Sequence, residues 1–184
     1  MIRISEDYLK ARPRCVQRML RPLRNRELAC QILPGPYGGT CAIAAHDGLE
    51  RETYEAEAYR SCSFTTIRPG IRGRYFELWL PDRDRKYWAL ERAYLTIYRV
   101  DIASQEPMEM ICLHCDPLTT EDEPLRTYKR GPHLHVEVAS DPWPDCHFAM
   151  CLSSLDKVMS TSTRLTRAFG SIVQMIRSEV LTRL

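Results

Sequence analysis

The sequence predicts an α+β domain in which a predominantly antiparallel sheet carries an N-terminal helical arm and a C-terminal helix packed on one face. Three observations lead there. Apolar residues recur at helical spacing near both ends of the chain, the middle is a series of short extended runs, and the links between several of those runs are short enough for hairpins. With 184 residues, one core is expected. Its parts are a basic helical arm over 1–33, a strand-rich core over 40–152 and the C-terminal helix over 160–184.

The first helix is expected to start after Ser5, a good N-cap, with Glu6 and Asp7 at the positive end of its dipole. Pro13 is expected to interrupt it. Val16, Met19, Leu20 and Leu23 then continue an apolar stripe past Pro22, a further kink or boundary. The Pro- and Gly-rich stretch "LPGPYGG" marks a loop, after which the pattern becomes extended. Strands are read around "TCAIAAH", "YEAEAY", "SFTTI", "RYFELWL", "AYLTIYRV", "MEMICLH", "HLHVEV" and "HFAMCL". In "YFELWL", Phe76, Leu78 and Leu80 share one face and Tyr75, Glu77 and Trp79 the other, so one face suits a core. The links "PDRDRK" and "DIASQEP" suit antiparallel hairpins, and the longer "LTTEDEPLRTYKRG" reads as a loop beside a site. In the C-terminal segment, Leu165, Phe169, Ile172, Val173, Ile176 and Val180 make the helical stripe that faces the sheet.

Composition narrows the function classes. A 44% hydrophobic, 27% charged chain with no apolar run near the roughly 20 residues of a bilayer span is not read as a membrane protein. The N-terminus has no apolar core of a secretory signal, so a cytoplasmic location and reduced forms of the 8 cysteines are expected. The net charge of +2 is too small to imply nucleic-acid binding, but it is unevenly spread. Between residues 10 and 26 stand Lys10, Arg12, Arg14, Arg18, Arg21, Arg24 and Arg26 with no acid among them. The bland reading is a solvated helix face; the functional one is a contact, centred on Arg14, Arg18 and Arg21, for RNA or an acidic protein. No motif calls for a nucleotide cofactor, flavin or haem.

The residues that carry chemistry lie between 112 and 151. In strand geometry His133, His135 and Glu137 share one face of "GPHLHVEV", as Cys112, His114 and Asp116 share one face of the preceding strand. If the two strands are neighbours, Cys112, His114, His133 and His135 converge as thiolate and imidazole ligands suited to zinc, on the sheet face opposite the helix. His133, His135 and Glu137 are then the catalytic candidates, with Glu137 or Asp116 as base or outer partner. The same histidines without metal could move protons, and a non-catalytic reading leaves them as satisfied half-buried residues. A histidine-dependent or metal-assisted hydrolase follows, nuclease-like if the basic arm holds RNA close to the histidines. The alternative is an accessory subunit that binds partners.

Two local resemblances add to this. "GPHLHVEV" resembles the His-x-His strand of LytM-type zinc endopeptidases, which implies that His135 is a metal ligand and His133 catalytic; the upstream His-x-x-x-Asp ligand pair of that family is missing here. "FAMCLSSLDKV" followed by "RLTRAFGSIVQMI" is similar to the layout of ubiquitin-conjugating enzymes, which implies a thioester-forming nucleophile at Cys151; the His-Pro-Asn motif of that family is missing as well.

Overall fold

The computed structural model describes residues 2–23, 28–35, 37–46, 64–65, 69–100, 103, 107–116, 132–136, 146–149 and 155–182. The strand expected at "YEAEAY" and the loop expected at "LTTEDEPLRTYKRG" lie outside them, as do Glu137 and Cys151.

One antiparallel sheet organises the molecule. After the short strand β1 (Arg3–Ser5), helix α1 (Glu6–Leu20) leads through a single 3-10 turn into β2 (Ala29–Pro34), β3 (Cys41–His46) and the two-residue β4 (Phe64–Thr65). The long central hairpin follows, β5 (Ile71–Pro81) and β6 (Tyr87–Val100), then β7 (Pro107–Cys115), β8 (His133–Val136) and β9 (Cys146–Ala149). The chain ends with a helical turn, α2 (Leu155–Val158), and helix α3 (Ser162–Met175), which runs on as a π-helical segment, Ile176–Leu181. The main strand order is β2-β3-β5-β6-β7-β8-β9. β1 pairs with the start of β6, beyond the reach of β7, and β4 with the start of β5, beyond the reach of β3. The α+β class and the two terminal helices are as expected from the sequence. Ala29–Pro34, counted with the helical arm, is instead an outer strand, and "LPGPYGG" turns it back into β3 with Gly39 at φ 84°. Glycine suits that left-handed position.

Pro13 does not interrupt α1. A proline inside a helix forfeits one backbone hydrogen bond, and here burial compensates: Leu9, Arg12, Val16, Met19 and Leu20 all seat α1 on its surroundings. Ser5 caps the helix as expected, its hydroxyl accepting from Tyr8 N–H at 3.4 Å, and Thr161 does the same for α3 through Arg164 N–H at 3.2 Å. The helix ends just before Pro22.

Both helices cover the same face of the sheet. The face formed by Tyr75, Glu77 and Trp79 meets them although it carries a carboxylate: Tyr75 packs edge-on against Phe169 with ring centroids 6.1 Å apart. The reason is a buried ion pair. Arg12, 4% exposed, gives Nε to the two Glu77 oxygens at 3.1 and 2.9 Å and Nη2 to Oε1 at 2.5 Å. Tyr75 Oη and Trp79 Nε1 donate to the same carboxylate at 2.6 and 2.9 Å, and Arg12 Nη1 donates to Thr166 of α3. Every lone pair of a fully buried carboxylate thus has a donor, which is the condition for burying a charge at all. Glu77 and Arg12 therefore lie buried within an inner face that is otherwise largely apolar.

Candidate metal centre

The opposite face of the sheet carries the histidines. β6, β7 and β8 lie side by side, and their antiparallel register sets Tyr94 opposite His114 and His114 opposite His133 in one row, with Thr96 opposite Cys112 and Cys112 opposite His135 in the next. Directly opposed residues of an antiparallel pair project to the same side. Phe76, paired with Tyr94 and 5.2 Å from it between ring centroids, belongs to this side too, so the cluster is separated from α1 and α3 by the sheet itself. A register shift after Ile97 leaves Met110 without an opposite residue on β6. Past that bulge Cys112, His114 and Asp116 keep in phase with Tyr94 and Thr96.

His114, His133 and His135 each bring a ring nitrogen within 4.8 Å of the others. Their ring centroids are 4.2 Å apart for His114 and His135, 4.9 Å for His133 and His135, and 5.5 Å for His114 and His133. His133 is 1% exposed, whereas His114 and His135 are half-buried. A tetrahedral ion with metal–nitrogen bonds of about 2.0–2.1 Å holds its ligand nitrogens about 3.3 Å apart. The nitrogens, within 4.8 Å of one another, have at most about 1.5 Å to close, a distance on the scale of side-chain rotation. The three histidines fit a metal ion.

Around His114 the surroundings are specific. Tyr94 lies flat against its imidazole, 4.0 Å between centroids and 8° between planes, and the Tyr94 hydroxyl donates to Asp116 at 2.6 Å. Burial, and then the neighbouring Asp116 carboxylate, push the Tyr94 phenol above its ordinary pKa, so it keeps its proton and donates it. Asp116 is thereby fixed one strand step beyond His114.

Cys112 is placed differently from the expected ligand. It shares the face and the row of His135, yet its Sγ lies 3.0 Å from Thr96 Oγ1, leaning towards β6 while His135 stands on the β8 side. It is not in the group of close ligand atoms, and burial raises its thiol pKa, with the Thr96 hydrogen bond working the other way. Glu137 and Cys151 lie outside the described residues. The backbone of His147 is described and stands opposite His135 in the register of β8 and β9.

Arg14 and Arg18 are exposed on α1 and Arg21 at the start of the 3-10 turn that follows it, and α1 is on the helix-bearing side of the sheet. These arginines and the histidines therefore stand on opposite sides of the sheet. The chain matches no protein-family model, and comparison with curated proteins and with solved structures finds no significant match. Neither local resemblance extends to a family likeness. Among the described residues no helix is long and apolar enough to cross a membrane.

Sequence spacing alone pointed to His114, His133 and His135. Tyr94 and the Arg12–Glu77 pair were missed. The alternation of "AYLTIYRV" already put Tyr94 and Thr96 on one face, but only the register, bulge included, sets that face beside the histidines.

Proposed function

We propose that the three histidines hold a single zinc ion and that the protein is a metal-dependent hydrolase. The observation that carries this reading is the convergence of three imidazole nitrogens from two neighbouring strands within 4.8 Å. Three neutral nitrogen ligands suit zinc and other borderline ions better than magnesium or calcium, which prefer oxygen. Closed structural zinc sites take four protein ligands, whereas the three found among the described residues would leave a position for water or substrate. Bound there, zinc would polarise a carbonyl or phosphoryl oxygen and lower the pKa of water.

The chain's own residues have assigned parts in this proposal. His114, His133 and His135 bind the metal as neutral imidazoles. Tyr94 orients His114 by stacking, and Asp116, held by the Tyr94 hydroxyl, is the carboxylate assigned as proton acceptor. The substrate class is an ester or phosphodiester whose reacting oxygen can reach a half-buried metal. Zinc titration combined with hydrolysis of bis(p-nitrophenyl) phosphate and p-nitrophenyl acetate tests this. The wild type should bind one equivalent and turn over at least one of the two substrates, with activity lost to chelator and restored by zinc. His135→Ala should lose both properties. Binding without turnover of either substrate would remove the hydrolase and leave a metal-holding subunit.

A further inference from the structure

The outward face of α1 carries a charged stripe that the metal centre does not use. Arg14 and Arg18 stand at i and i+4 on α1, and Arg21, the αR residue that caps it, continues the spacing at i+7 into the 3-10 turn. All three are exposed, and among the described residues none is in an ion pair. Other cations nearby are committed: Lys10 to Glu6 at 2.8 Å and Arg12 to Glu77. The nearest contacts of Arg18 are the Arg14 carbonyl at 3.4 Å and Cys15 Sγ at 3.9 Å, neither of which neutralises it. The negative end of the helix dipole accounts for a cation in the last turn, where Arg18 stands, but not for Arg14.

We infer that this stripe binds the phosphate backbone of single-stranded nucleic acid, on the side of the sheet away from the histidines. A helix rises 1.5 Å per residue, so the seven steps from Arg14 to Arg21 span roughly 10 Å. Each guanidinium matches one phosphate, so the three arginines take about three phosphates of a single strand. Arginine suits phosphate because its planar fork gives two parallel hydrogen bonds. The platform is rigid. Arg12, on the inner side of the same helix, ties α1 to β5 through Glu77 and to α3 through Thr166, so the outer side chains are presented from a fixed backbone. Three neighbouring cations without carboxylate partners on a fixed helix match a polyanion of regular charge spacing better than an acidic protein, whose carboxylates follow no such period.

The test is fluorescence anisotropy with labelled single-stranded RNA and DNA oligonucleotides of mixed sequence, titrated with the full chain between about 50 and 200 mM salt. With three phosphates contacted, log K against log salt concentration should have a slope of about −2. The combined Arg14→Gln, Arg18→Gln and Arg21→Gln variant should flatten that slope towards zero and weaken binding at low salt at least tenfold, with an unchanged circular-dichroism spectrum. Equal binding of both oligonucleotides assigns the phosphates alone; a preference for RNA adds a contact to the 2′-hydroxyl. His135→Ala should bind as the wild type does, so loss of the metal centre leaves this result standing. The proposal is overturned if the wild type shows no salt-dependent binding, if the triple variant binds as well as the wild type, or if polyglutamate competes as strongly as the oligonucleotides.

Discussion

His114 is the histidine whose environment is fixed from three directions: Tyr94 flat against one side, His133 opposite it in register and His135 across the diagonal. The tyrosine should therefore influence the metal without touching it. Tyr94→Leu removes both the stack and the hydroxyl that fixes Asp116, and zinc affinity should fall about ten- to hundredfold, the range seen when outer partners of ligands are lost. Tyr94→Phe keeps the stack and should keep most of the affinity. Equal zinc dissociation constants for Tyr94→Leu and the wild type would show that the ring only fills space. The imidazoles themselves were legible in the sequence, since alternation put them on a common face. Their Tyr94 neighbour was not, because a period-two pattern says which residues share a face and not which strand lies alongside or in what register.

Among the elements, α1 shows where sequence rules are overridden. Its proline argues against a continuous helix and its arginines for a solvated one, yet Arg12 points inward and fastens α1 to β5 and α3. Removing one partner of such a pair leaves a buried charge without compensation and typically costs about 3–5 kcal/mol. Arg12→Ala should therefore lower the unfolding free energy by about that amount in urea titration, and Arg14→Ala, a few residues along on the exposed face, by less than about 0.5 kcal/mol. Equal effects of the two substitutions would show that the ion pair does not hold α1 in place. Helical spacing picked out the apolar stripe of both terminal helices correctly. It did not distinguish Arg12 from its exposed neighbours, because the acid that draws it inward is 65 positions away in sequence.

At the scale of the whole molecule, the sheet separates two chemistries: a hydrogen-bonded ion pair and both helices on one side, the histidines, Tyr94 and Asp116 on the other. The same burial that supports the sheet holds its cysteines neutral. Desolvation raises Cys41 to about 12; Cys30 is also raised to about 12, by burial first and the Glu77 charge second. The unfolded chain releases those protons nearer the ordinary thiol value of 9.0. The folded state thus binds more protons than the unfolded one between about pH 9 and 12, and the stability from these thiols is complete below that window and lost as pH rises through it. The urea midpoint should decline over that range, and less steeply in Cys30→Ser/Cys41→Ala. A flat midpoint would show that neither thiol is held neutral by the fold.

The central claim is that the three histidines form one metal centre, and cobalt(II) titration with visible absorption spectroscopy tests it most directly. Cobalt in a site with three imidazoles and one open position should give the intense visible bands of four-coordinate geometry, saturating at one equivalent and bleached by zinc. His114→Ala and His135→Ala, both at half-buried positions and expected to fold, should each lose those bands. A wild-type titration that shows only the weak spectrum of hydrated cobalt, or variants that reproduce the wild-type bands, would contradict the account.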